Sequence, residues 1–198
     1  MDASDKTMIR RQMLRMRNDL PAHFTEQTAR ITGGFIASLS AFQQAKNVML
    51  YCDYRNETGT GPLRSYCFRT GKQIALPLTD ALFEITAYSV QNSGQLQLSA
   101  LGIQEPDPQQ CAVLDPKKID LVIVPGVAFD VFGCRIGYGK GCYDRFLPQL
   151  RDDAAVIGLA YDFQVLPGLP SSPADVRMDA IITEKGLLPV RGARHDVS

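Results

Sequence analysis

Histidine is scarce in this chain. Only His23 and His195 occur in 198 residues, both in polar surroundings near the ends. A His-based zinc centre and a Ser-His-Asp triad are therefore not expected. Net charge is missing too. Lys and Arg number 21, and so do Asp and Glu. No global field draws such a protein to nucleic acid or to an anionic membrane, so neither is expected as a partner. The five cysteines, Cys52, Cys67, Cys111, Cys134 and Cys142, form no CxxC. An odd number in a chain of this size reads as reduced thiols rather than a disulfide framework. No apolar run approaches the ~20 residues of a membrane helix. The opening MDASDKTMIRRQMLRMR is charged throughout and lacks the apolar centre of a secretory leader. A soluble cytoplasmic protein is expected, and any anion site must come from local clustering.

What is present is ordinary globular material, 45% apolar and 21% charged, enough for one domain with a substantial core. A first helix is expected, capped by Ser4 or Asp5, with Met8, Ile9, Met13, Leu14 and Met16 as a rough apolar stripe. Pro21 ends it, and Thr25 caps a second helix that runs to about Ser40. VMLYC (48–52) reads as a strand. Pro62 opens a helix reaching Arg69, with Gly71 at its C-terminal cap position. QIALP (73–77) and FEITAYSV (83–90) read as strands. Residues 91–118, rich in Gln, Asp, Pro and Ser, read as a long surface excursion. IDLVIVP (119–125), AAVIGLAY (154–161) and MDAIITE (178–184) complete the strands, and their continuous apolar character suits a sheet covered on both faces. Strands separated by helices predict a three-layer α/β sandwich with a mainly parallel central sheet over residues 1–190. RGARHDVS (191–198) reads as a loose tail.

The stretch with the most chemistry follows the strand at 119–125. Gly137, Gly139 and Gly141 alternate, with Arg135 before them, Lys140 among them and Asp144 just after. Alternating glycines aim successive backbone N–H groups into one concavity, a nest for phosphate oxygens. A helix from about Gly141 to Leu150 would add its positive N-terminal pole. Asp144 is a candidate magnesium ligand, since that ion takes a few carboxylates together with phosphate oxygens. The pattern is neither GxxxxGK[ST] nor GxGxxG, and the glycines alone favour a plain structural turn. The two cations and the carboxylate beside them, after a buried strand, favour a phosphate or nucleotide site. Lys6 and Arg10 lie four apart on one helix face, which fits a solvated basic face or a pair of cations aimed at a phosphate. Glu57 and Asp175 follow and precede predicted strands; each caps a turn or serves the site.

These residues carry a resemblance. PGVAFDVFGCRIGYGKGCYDRFL (125–147) resembles the PGxAFDxxGxRLGxGxGYYDxxL block of the 5-formyltetrahydrofolate cyclo-ligase family. KTMIR resembles its N-terminal KxxLR, NETGT its Glu-x-x-Thr segment, GIQEP its GxxEP, and ADVRMDAIITE its HDxxxDxxxTE. The resemblance implies an ATP- and magnesium-dependent reaction in which 5-formyltetrahydrofolate, bare or polyglutamylated, becomes 5,10-methenyltetrahydrofolate. It implies ATP contacts from Lys6, Arg10, Arg135, Ile136, Gly137, Tyr138, Gly139, Lys140, Gly141, Cys142 and Tyr143. It implies folate contacts from Cys52, Glu57 and residues Tyr138 to Cys142, catalytic roles for Lys140 and Arg135, and magnesium at Asp144 and Asp175. It also implies a monomer with the architecture shared by sugar-phosphate isomerases and CoA transferases. Cys142 stands where the family usually has an aromatic residue, and Ala174 where a histidine is frequent. Two other readings remain at this point: a folate- or nucleotide-binding paralogue without turnover, and an isomerase-like enzyme that uses no ATP.

Overall fold

A computed structural model describes residues 3–172 and 175–198. The helices are α1 (Ala3–Asn18), α2 (Ala22–Ser38), α3 (Ser40–Gln44), α4 (Gly61–Thr70) and α5 (Cys142–Phe146). The strands in chain order are β1 (Asn47–Met49), β2 (Gln73–Thr79), β3 (Ile85–Val90), β4 (Leu96–Leu98), β5 (Gln104–Pro106), β6 (Ala112–Val113), β7 (Leu121–Pro125), β8 (Ala128–Asp130), β9 (Arg135–Ile136), β10 (Ala155–Leu159), β11 (Val165–Leu166), β12 (Ala180–Thr183) and β13 (Gly186–Pro189).

Eight strands form the central sheet in the order β13-β12-β10-β7-β1-β2-β3-β6. From β12 to β2 all neighbours run parallel, and β13, β3 and β6 close the edges antiparallel. The strand period of two sorts side chains between two cores. Val48, Leu121, Ile123, Ile157 and Ile182 face α2, α3 and α4. Met49, Val122, Val124, Val156 and Ile181 face Phe146, Leu147 and Phe129 on the other side. This is the expected α/β sandwich with a mainly parallel sheet. A smaller sheet, β11-β8-β9, holds a third core with α1 through Met13, Ala128 and Ile136.

Several local expectations change. α1 is already helical at Ala3, so Ser4 and Asp5 lie within its first turn rather than ahead of it. Met8 and Met16 point outward, 68% and 40% exposed, while Arg17 is buried. The inward face therefore reads Lys6, Arg10, Met13, Arg17, spaced four, three and four apart, as one helix face requires. α2 begins at Ala22 behind Pro21, and Thr25 sits inside it, its hydroxyl donating to the Ala22 carbonyl at 2.9 Å. α4 ends as expected, with Gly71 left-handed at φ +71°. α5 spans only five residues before a 3-10 turn at Leu147–Gln149 that contains Pro148; proline cannot continue the α-helical bonding. Residues 91–118 are not simply a surface excursion, since they carry the hairpin of β4 and β5 as well as β6. The last eight residues lie against the domain: Val197 is buried in the first core and His195 Nε2 sits 2.8 Å from the Asp152 carbonyl.

Candidate active site

After β1 the chain moves to β2 and β3 on one side, and later returns through β7 to β10 and β12 on the other. β1 and β7 therefore flank the point where strand order reverses. Ligands of open parallel sheets bind outside the carboxyl ends of the strands at such a point. A cleft opens there, lined from β1 by Tyr51, Cys52, Tyr54 and Glu57, from β7 by Pro125 and the segment Arg135–Asp144, and from α1 by Lys6 and Arg10. Asp175 lines it too. Every site residue expected from the sequence thus meets in one cleft.

On the β7 side, β8 and β9 form a hairpin that turns the chain back and sets Arg135 at the cleft wall. Arg135 is 9% exposed. It donates to the Asp144 carboxylate at 2.9 Å and to the Pro125 carbonyl at 3.3 Å, and its guanidinium carbon lies 5.4 Å from the centre of the Tyr143 ring. Its Nε has no protein partner, nor has the buried Tyr143 hydroxyl. Buried polar groups of this kind are satisfied by a bound water or by a ligand atom. The glycines have different reasons. Gly139 (φ +97°) and Gly141 (φ +68°) are left-handed, while a Cβ on Gly137 would lie 2.7 Å from Arg135 Nη1. Gly141 caps α5. With one turn of helix, the expected dipole contribution shrinks to the first-turn amides themselves. Arg10 braces the loop, Nε donating to the Gly137 carbonyl at 2.8 Å. Lys140 Nζ sits 4.4 Å from the centre of the Phe83 ring.

On the β1 side, Glu57 is 7% exposed. Burial pushes its carboxyl up to about 7 against the pull of Arg17, the Tyr54 amide and the Tyr138 hydroxyl. It can therefore change protonation near neutrality. Cys52 is a neutral wall group. Burial raises its thiol to about 11 although Arg64 opposes this, and Arg64 Nη1 lies 2.9 Å from its sulfur. Cys142, half-buried, stays free like the other four cysteines. The apolar wall comes from Pro77 and Ile85, and from Ile103 beside Gln104 and Glu105.

Asp144 and Asp175 are each neutralised from within the site, Asp144 by Arg135 and Asp175 by Lys6 at 3.3 Å. Burial raises the Asp175 carboxyl, but bonds from Ser172 and the Lys6 pair outweigh it and hold it below the usual range. Ala174 lies outside the described residues. Among the described residues no group of three or more His, Cys, Asp or Glu could hold a metal, and no helix is long and apolar enough to cross a membrane.

Sequence reasoning does not single out Arg17 or the Ile103–Glu105 wall as site residues. Arg17 lies seven residues, two helical turns, beyond Arg10, and that spacing is the available signal. For Ile103–Glu105 the signal is GIQEP itself.

Fold and cleft define a class: an α/β small-molecule enzyme with its ligand cleft at the switch point of a parallel sheet and clustered cations on one wall. The comparison with known families is narrower. The family model for the 5-formyltetrahydrofolate cyclo-ligase family matches residues 2–184, and the chain belongs to that family. It is 28% identical to the 5-formyltetrahydrofolate cyclo-ligase of Mycolicibacterium smegmatis, covering 96% of this chain and 100% of that one. It is 30% identical to the Escherichia coli cyclo-ligase over 70% of this chain and 78% of that one. The NMR structure of 5,10-methenyltetrahydrofolate synthetase from Aquifex aeolicus superposes with a TM-score of 0.83 at 33% identity, covering 98% of this chain and 96% of that one.

Proposed function

We propose that this cleft closes 5-formyltetrahydrofolate to 5,10-methenyltetrahydrofolate at the expense of ATP, releasing ADP and phosphate. The observation that carries the residue roles is convergence. A buried titratable carboxylate, a glycine loop and four cations, Lys6, Arg10, Arg135 and Lys140, share one cleft.

A formyl oxygen on N5 is a poor leaving group. Transfer of the γ-phosphoryl group makes it a good one. N10 then attacks the formyl carbon and gives up its proton, and phosphate departs with the former formyl oxygen. Phosphoryl transfer asks the protein for position and charge neutralisation rather than for a nucleophile. Lys6 and Arg10 meet the ATP phosphates from α1, and residues Arg135 to Tyr143 wrap them. Lys140 and Arg135 neutralise charge on the group in transit. The Arg135 guanidinium lines the cleft and supplies the full positive charge that such an anion needs. Glu57 takes hydrogen bonds from the amine-bearing edge of the folate ring. Cys52 and Tyr138 to Cys142 pack against the folate.

Magnesium fits the donor set. It needs one or two carboxylates plus phosphate oxygens and water, not a protein cage. Asp144 and Asp175 both line the cleft and would hold it, where it would spread the negative charge of the triphosphate. A binding paralogue without turnover has no need of the full set of charges, and Lys6, Arg10, Glu57, Arg135, Lys140, Asp144 and Asp175 all remain here. The test of the route is isotopic. With ¹⁸O in the formyl group, the released phosphate should carry the label. Unlabelled phosphate alongside methenyl product would contradict phosphorylation of the formyl oxygen.

A further inference from the structure

We infer that Arg17 is the positioning residue that pins the Glu57 turn to the glycine loop, holding the two halves of the cleft in register; the inference rests on the reading of that cleft given above. Arg17 lies at the inner end of α1 and is 1% exposed. Its guanidinium spends each nitrogen on a different part of the site. Nε donates to the Arg55 carbonyl at 2.9 Å, Nη1 to the Gly126 carbonyl at 3.5 Å, and Nη2 to the Tyr138 hydroxyl. Arg55 belongs to the turn before Glu57, Gly126 to the exit from β7, and Tyr138 to the glycine loop.

The turn needs holding. Arg55 and Asn56 both take left-handed backbone, φ +49° and +55°, which non-glycine residues adopt at a cost that the surroundings must cover. Arg17 grips this turn twice, since its own carbonyl also accepts from Asn56 Nδ2 at 3.4 Å. The Glu57 amide closes the turn on the Tyr54 carbonyl at 3.1 Å, and Glu57 Oε2 accepts from the Tyr54 amide at 3.0 Å. Arg17 Nη1 stands 3.9 Å from Glu57 Oε1. A buried guanidinium with only this long carboxylate contact owes its place to the carbonyls and the phenol. A lysine has the charge but not the planar fork that reaches them together.

The charged and titratable groups around Glu57 give the pin an electrical consequence. Asp53, Tyr51, Tyr138 and Tyr143 interact with it alongside Arg17. Among these Arg17 is the cation. Without it, the carboxylate loses its counter-charge and holds its proton to higher pH.

The experiment uses the full chain with Arg17→Gln, Arg17→Lys and Tyr138→Phe. Two readings are taken: the titration of the Glu57 carboxyl by ¹³C NMR, assigned with Glu57→Gln, and the pH profile of kcat/KM for 5-formyltetrahydrofolate. Arg17→Gln should move the Glu57 titration upward by about one pH unit or more. The acidic limb of kcat/KM should follow it, and KM for the folate should rise about tenfold or more. Arg17→Lys should keep the titration near that of the parent while KM stays raised. Tyr138→Phe leaves Arg17 in place and should shift the titration the same way by less, and it carries the test if Arg17→Gln fails to fold. A Glu57 titration that coincides with the parent's in Arg17→Gln, or in Tyr138→Phe where that variant carries the test, overturns the inference. An Arg17→Lys variant with the parent's KM overturns the pin even if the titration moves in Arg17→Gln, and a moved titration in protein that makes no methenyl product, parent included, upholds the Arg17–Glu57 coupling and overturns the substrate reading instead.

Discussion

Glu57→Gln should change how stability depends on pH. The Glu57 carboxyl rises from 4.5 to about 7, chiefly through burial. The folded protein therefore binds this proton more tightly than the unfolded chain does. The stability it contributes is full below about pH 4.5 and is lost as pH rises through about 7, levelling above. At about 1.36 kcal/mol per pH unit, that rise corresponds to about 3 kcal/mol over the whole range. Most of it should be lost between about pH 5 and pH 8. A glutamine amide does not titrate, so the variant should lack this slope. Any cost of leaving Arg17 beside a neutral amide is constant with pH and drops out of the comparison. Urea unfolding of parent and variant at several pH values across that window reads it directly. The variant should gain on the parent by roughly 2–3 kcal/mol from the acid to the alkaline end. Parallel stability curves would refute the claim that Glu57 is held partly protonated by burial.

Asp144→Asn removes the negative charge that faces Arg135 across their 2.9 Å bond and weakens a proposed magnesium ligand; its side chain is 40% exposed, so melting should barely change while kcat falls by on the order of 100-fold or more. Near-normal turnover would refute the role. Gly158→Ala should do the reverse: its Cβ would lie 2.6 Å from Cε1 of the fully buried Phe129, costing about 1–3 kcal/mol, so calorimetry should show a lower Tm with kcat of the folded enzyme unchanged. An unaltered Tm would mean that the ring has room to move. Alkylation of Cys142, which lines the cleft, should slow turnover and be blocked by ATP with folate; full activity after complete labelling would place the thiol outside the working surface.

Legibility from sequence follows the reach of each interaction. The sheet is readable because IDLVIVP and AAVIGLAY are apolar on both faces, as buried parallel strands must be. The glycine loop is readable because its glycines, cations and Asp144 lie within ten residues. The pattern overextends α5 because apolar residues run on to Leu150, whereas Pro148 turns the last residues into a 3-10 turn. Arg17 looks like one more cation on a basic helix. Its burial depends on partners 38, 109 and 121 residues away, and no local pattern encodes those. The wall at Ile103–Glu105 is hidden for a similar reason. In a stretch rich in Gln and Pro the alternation Gln95-Leu96-Gln97-Leu98 is short and Gln104–Pro106 has none, yet the hairpin they form packs near β2 and reaches the cleft. Met8 and Met16 mislead in the other direction, since the helix turns cationic side chains inward toward the site.

The central claim is ATP-driven ring closure in this cleft. Purified protein mixed with 5-formyltetrahydrofolate, ATP and magnesium should produce the near-ultraviolet absorbance of 5,10-methenyltetrahydrofolate, and omission of ATP should abolish it. No such band, with both ligands still bound by calorimetry, would contradict the account and leave a binding protein without turnover.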